Sequence, residues 1–88
     1  MKMAVQVQEV EGKGLMGLLG ERVTLFCMNY IYTGSLAGVN DDDVKLDDPS
    51  IVYETGSFDN DSWEDAQKLP SSLYVTKSSI ESYTILKG

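Results

Sequence analysis

Between Tyr30 and Val39 the chain runs through Tyr30, Ile31, Tyr32, Thr33 and Val39, with Gly34 and Gly38 placed among them. Aromatic and β-branched side chains favour a strand, and a glycine inside a strand marks a bend or the close approach of a second backbone. A chain built around such a segment is held to a strongly curved sheet.

The flanking segments fit that reading. Glu21 to Met28 alternates Val23, Leu25 and Cys27 with Thr24, Phe26 and Met28 and reads as a strand, ended by a turn at Asn29. Asn40 to Asp43 is a polar turn short enough only for a hairpin, and Val44 to Tyr53 resumes an extended pattern. Pro49 lacks an N–H and puts the middle of that segment at a sheet edge or a bulge. Residues 56–68 read as an acidic loop, with a helical turn around Trp63 to Lys68. Leu73 to Thr76, the polar turn Lys77 to Ser79, and Ile80 to Leu86 form a last hairpin. Leu15 to Leu19 has helical spacing, but Gly14, Gly17 and Gly20 restrict it to one or two turns. Met3 to Val10 alternates around Val5 and Val7, so residues 1–12 are either a flexible tail or an extra strand. The fold expected over residues 1–88 is one all-β domain, a small, strongly bent, SH3-like barrel of about five strands with a short N-terminal helix.

Length and charge narrow the function. With 88 residues the chain has room for one domain, which buries only about 60 to 65% of the surface its unfolded form exposes, so assembly with further copies would enlarge a thin core. The net charge of −7 is concentrated in residues 41–65, where ten carboxylates face Lys45 alone. Such a chain is repelled by nucleic acid overall, and any RNA site has to be local. The absence of histidine excludes a Ser-His-Asp triad, a Cys-His dyad and a His-ligated metal, and the chain reads as a non-enzyme without a cofactor. Cys27 has no second cysteine to pair with and lies in an apolar run, which fits a reducing, cytoplasmic setting. Neither a signal-peptide core nor a membrane-spanning run of about 18 apolar residues is apparent, so no membrane partner is expected.

From about Leu18 to Ile85 the chain resembles the Sm and Sm-like (LSm, Hfq-like) proteins. Val23, Leu25, Tyr32, Gly34, Leu36, Val39, Asn40, Val44 and Leu46 fall on the family's first motif, a strand, a second strand containing a glycine, and a turn entering a third. Val75, Thr76, Lys77, Ser78, Ser79, Ile80 and Tyr83 are similar to the second motif, and Leu15 to Leu19 stands where the family has its N-terminal helix. The resemblance implies a homo-oligomeric ring of roughly five to seven subunits, closed by strand pairing between neighbours, with single-stranded RNA bound at the rim. Carried over residue by residue, the base-stacking position falls on Asp41, the position of the base-reading Asn on Asp43, and the Arg-Gly pair on Thr76 and Lys77. This departs from the family's uridine pocket, because a carboxylate offers no π face for stacking and repels phosphate. Asp43 retains the ability to accept a hydrogen bond from a base amino group, and Lys77 to contact phosphate.

Other clusters read more plainly. Asp41 to Asp43 suits a divalent cation or, more simply, a solvated turn. Asp59, Asn60 and Asp61 begin like a calcium loop, but Trp63 occupies the third ligand position and no metal site is expected. Tyr30, Tyr32, Tyr53, Tyr74 and Tyr83 with Phe26 read as core or subunit interface before they read as a base-stacking set. Trp63, isolated among acids, is either a cap over the barrel or an anchor for a protein partner. The reading is therefore an Sm-like ring with RNA as the family-implied ligand. The alternatives are an adaptor ring or an SH3-like module that binds a protein through the acidic loop and Trp63.

Overall fold

A computed structural model describes residues 14–85. Met3 to Val10 and Leu86, read above as parts of a tail or strand and of the last hairpin, lie outside the described residues. A five-residue 3-10 helix, η1 (Gly14–Leu18), leads into six strands: β1 (Arg22–Cys27), β2 (Ile31–Val39), β3 (Asp43–Glu54), β4 (Asp65–Lys68), β5 (Leu73–Thr76) and β6 (Ile80–Thr84). A second 3-10 turn, η2 (Lys77–Ser79), connects β5 to β6. The chain is all-β, as its alternating pattern implies. Among the described residues no helix is long and apolar enough to cross a membrane.

All pairings are antiparallel, in the order β4-β3-β2-β1-β6, with β5 also pairing to β3. The 12-residue β3 therefore carries two partners: β5 along Asp43–Leu46 and β4 along Ser50–Glu54. Ser50 faces Lys68 and Leu46 faces Leu73, so β4 and β5 are two arms of one return strand, interrupted at residues 69–72. Pro70 in that interruption supplies no N–H. The gap is bridged where Leu69 N donates to Pro49 O at 2.9 Å and Ser72 Oγ donates to Asp47 Oδ1 at 2.7 Å.

The bend in β3 has a steric cause. The β2–β3 register shifts between Thr33 and Ser35, which face Ser50 and Asp47, so Gly34 stands against both Asp48 and Pro49. A Cβ on Gly34 would lie 3.0 Å from Leu46 Cβ, 3.1 Å from Asp47 O and 3.3 Å from Pro49 Cα, tighter than most Cβ contacts, so its neighbours would have to shift by a few tenths of an ångström. Asp48 takes a left-handed conformation (φ 51°) to complete the bulge. Pro49 is thus buried inside the sheet at a bulge, one of the two placements its missing N–H allows.

The core is formed by Val23, Leu25, Leu36, Val44, Leu46 and Val75, contributed by β1, β2, β3 and β5 and sealed from solvent, with Leu15, Leu18, Cys27, Tyr32, Val39, Leu73 and Ile80 packed around it. Two sequence expectations need correction. Residues 65–68 are a strand, not a helical turn, because β4 continues the return arm of the hairpin along β3. The sheet also has six strands and is not closed: among the described residues no ladder joins β4 or β5 to β6.

On the other face of the sheet Thr24 and Thr33 lie opposite each other and are fully buried. Thr33 Oγ1 donates to Val23 O at 2.9 Å, whereas Thr24 Oγ1 has no hydrogen-bond partner among the described residues. A buried hydroxyl without a partner costs about 1 to 3 kcal/mol of desolvation, and a made bond contributes about 1 kcal/mol. Thr24→Val is therefore expected to raise the urea midpoint and Thr33→Val to lower it, each by about 1 kcal/mol in unfolding free energy.

Candidate functional site

The β2–β3 turn is locked by its first residue. Asn40 Oδ1 accepts from Asp42 N at 2.8 Å and from Asp43 N at 2.7 Å, and Asn40 N donates to Asp43 O at 3.0 Å. Asparagine mimics a backbone turn in this way, which is why Asn followed by acids can reverse the chain between Val39 and Val44. The β5–β6 turn packs beside it. Lys77 N donates to Asp42 O at 2.8 Å, and Lys77 Nζ donates to Asn40 O at 3.1 Å. Ser79 Oγ donates to Thr76 O at 2.8 Å and Ile80 N donates to Lys77 O, which tightens η2.

These contacts bring together the four residues singled out at the rim. Asp43 stands opposite Thr76, and Asp41 and Lys77 line one groove of about 480 Å³ with Leu15, Met16, Val39, Asn40 and Tyr83. The groove has an apolar floor and a mixed-charge mouth. Asp41 and Asp42 are exposed and Asp43 half-buried, and the Lys77 ammonium is turned onto the Asn40 backbone carbonyl at the start of the same turn. Among the described residues no group of three or more His, Cys, Asp or Glu is arranged to hold a metal ion.

Trp63 lies apart from this groove, in the connection between β3 and β4, and is half-buried. Phe58 meets it edge-to-face, with ring centroids 6.3 Å apart at 88°, and Phe58 is the more exposed of the two. The sequence reading missed Phe58, and it also missed Asn40 as the lock of the turn and the apolar floor supplied by Met16. A lone Phe between acids carries no periodic signal, whereas the Asn40 lock was readable from an Asn set directly before the hairpin acids.

Comparison of the chain with protein-family models, with curated proteins and with solved structures gave no match.

Cys27 follows the register shift in the β1–β6 ladder. Burial pushes its thiol above the ordinary value, the Glu81 charge adds to this, and a hydrogen bond with Ser79 opposes it. Tyr32 is raised too, by burial first and then by the Cys27 and Tyr30 charges. Both groups are thus held neutral more firmly in the folded than in the unfolded chain. Their contribution is fully present below the unfolded values, 9.0 for the thiol and 10.0 for the phenol, and is lost as pH rises through the folded ones. Stability measured by urea unfolding is expected to fall as pH rises past 9.0 and 10.0, and to fall less in a Cys27→Ala/Tyr32→Phe chain.

Proposed function

We propose that the chain is an Sm-like assembly module, whose curled sheet forms a partial barrel and joins further copies into a closed ring that serves as a scaffold or adaptor. The observation that carries this reading is the pair of unfilled strand edges. β5 pairs only with β3 and β6 only with β1 among the described residues, leaving one outer edge on each. Tyr74 on β5 is 65% exposed, and Tyr83 and Ile85 at the β6 end are 39% and 53% exposed. Unpaired strand edges bearing apolar side chains recruit another strand. Pairing β5 of one copy with β6 of the next is head-to-tail, and head-to-tail contacts whose rotation closes give rings.

Single-stranded RNA is the ligand the resemblance implies at the Asp41, Asp43, Thr76 and Lys77 groove, and electrostatics argue against tight binding there. A ring would repeat Asp41 to Asp43 in every subunit and concentrate negative charge where phosphate would pass. The adaptor role is favoured by Phe58 standing exposed on Trp63, a pre-packed aromatic pair suited to anchoring a protein partner.

Native mass spectrometry at low micromolar concentration is expected to show a closed multiple of the 9.7 kDa chain, and Tyr83→Asp/Ile85→Asp to shift it to monomer with an unchanged circular dichroism spectrum. A monomeric native chain would overturn the ring. Salt-sensitive binding of a uridine oligonucleotide at low ionic strength by the native ring would overturn the electrostatic argument.

A further inference from the structure

We propose that the groove beside Asp41 and Lys77 is a docking site for this chain's own residues 3–10, which lie across its apolar floor and withhold it from outside ligands. The docking needs one copy of the chain and stands whether or not a ring forms. Its basis is where the chain enters the groove. Gly14, the first of the described residues, takes the left-handed conformation (φ 68°) that a tight turn uses, and a Cβ there would lie 3.0 Å from Tyr83 Oη. The next two residues, Leu15 and Met16, line the groove together with Val39 and Tyr83, and Met16 is 58% exposed. Residues 3–10 are therefore tethered at the wall of the groove itself, through residues 11–13, which span about 10 Å at full extension.

Three properties select this occupant. The floor is apolar, and Met3 to Gln8 is a run without a charge in which Met3, Val5 and Val7 recur at every second position, on one side of an extended segment. The mouth carries Asp41 and Lys77, and in residues 1–13 Lys2 and Lys13 cancel Glu9 and Glu11. The segment thus brings no net charge to the groove, whereas the carboxylates of residues 41–65 in a second copy would be repelled by those of the turn. Finally, a segment held by so short a linker meets the groove at an effective concentration of roughly 10 mM, so contacts too weak to retain a separate peptide at micromolar concentration are sufficient.

The test follows the isotope-labelled full chain by NMR. Nuclear Overhauser contacts are expected from the Val5 and Val7 methyls to the Tyr83 ring and the Met16 methyl, and in a mixture of labelled and unlabelled chains they connect groups of the same chain. Val5→Asp/Val7→Asp is expected to abolish the contacts and to shift the resonances of Met16, Val39 and Tyr83 while those of Trp63 stay in place. Gln6→Asp/Gln8→Asp, which adds the same two charges on the alternate side, is expected to leave all of them in place. A synthetic peptide of residues 3–10 is expected to bind the Val5→Asp/Val7→Asp chain with half-saturation at about 1 mM, and the native chain about tenfold more weakly, because the tethered segment competes. Absence of the contacts, unmoved groove resonances in the Val5→Asp/Val7→Asp chain, an equal response to Gln6→Asp/Gln8→Asp, or equal peptide affinity of the two chains would overturn the proposal. Contacts found only between different chains would overturn it in favour of a neighbouring copy's segment. A monomeric chain that keeps the contacts would support it while removing the ring.

Discussion

The architecture depends on a connection of three residues. β5 and β6 lie at opposite ends of the path β5-β3-β2-β1-β6, yet only Lys77–Ser79 join them. Ends held that close force the intervening sheet to curl until its two margins approach. The curl brings Val23, Leu25, Leu36, Val44, Leu46 and Val75 into one core, although no ladder joins β5 to β6 among the described residues. A short connection costs little closure entropy, so the hydrogen bonds within η2 and from Lys77 to the β2–β3 turn are sufficient to hold it.

Curling at that radius requires β3 to turn sharply, and Gly34 is where it does so. With no side chain there, Leu46, Asp47 and Pro49 fold over β2, and along the edge of β3 away from β2 the half before the bend pairs with β5 and the half after it with β4. The salt bridges at the bend, Asp48 to Lys68 at 3.1 Å and Asp48 to a half-buried Arg22 at 4.0 Å, are centred on an exposed carboxylate and add little. Backbone close approach therefore shapes the bend more than charge does. The same bend sets the two turns side by side, which is why residues as distant in sequence as Asp41 and Lys77 share one groove.

The parts legible in the sequence were those where burial leaves a pattern. β1, β2, β3, β5 and β6 each bury or half-bury apolar residues, and their positions follow from alternation and from the glycines of β2. β4 was not legible because all four of its residues are exposed, so no apolar period distinguishes it from the acidic loop in which it was read. It is a strand only because β3 offers it an edge, a long-range condition that local composition does not encode. The grouping of Asp41, Asp43, Thr76 and Lys77 was readable through the resemblance. The apolar floor from η1 and Tyr83 was not, since it arises from tertiary packing. Trp63 was visible as an unusual residue in its context, whereas the outward ring is that of Phe58.

The proposed assembly through strand edges would draw on three features: a thin core, a curled sheet that does not close, and apolar side chains left on the outer strands β5 and β6. The most direct measurement is amide hydrogen exchange followed by NMR as a function of protein concentration, resolved for the outward-facing N–H groups of β5 and β6. If the edges pair between copies, those amides are protected as strongly as the interior ladder of β1 and β2 and become exposed only on dilution. Fast exchange of the same amides at every concentration, with β1 and β2 fully protected, would contradict the account.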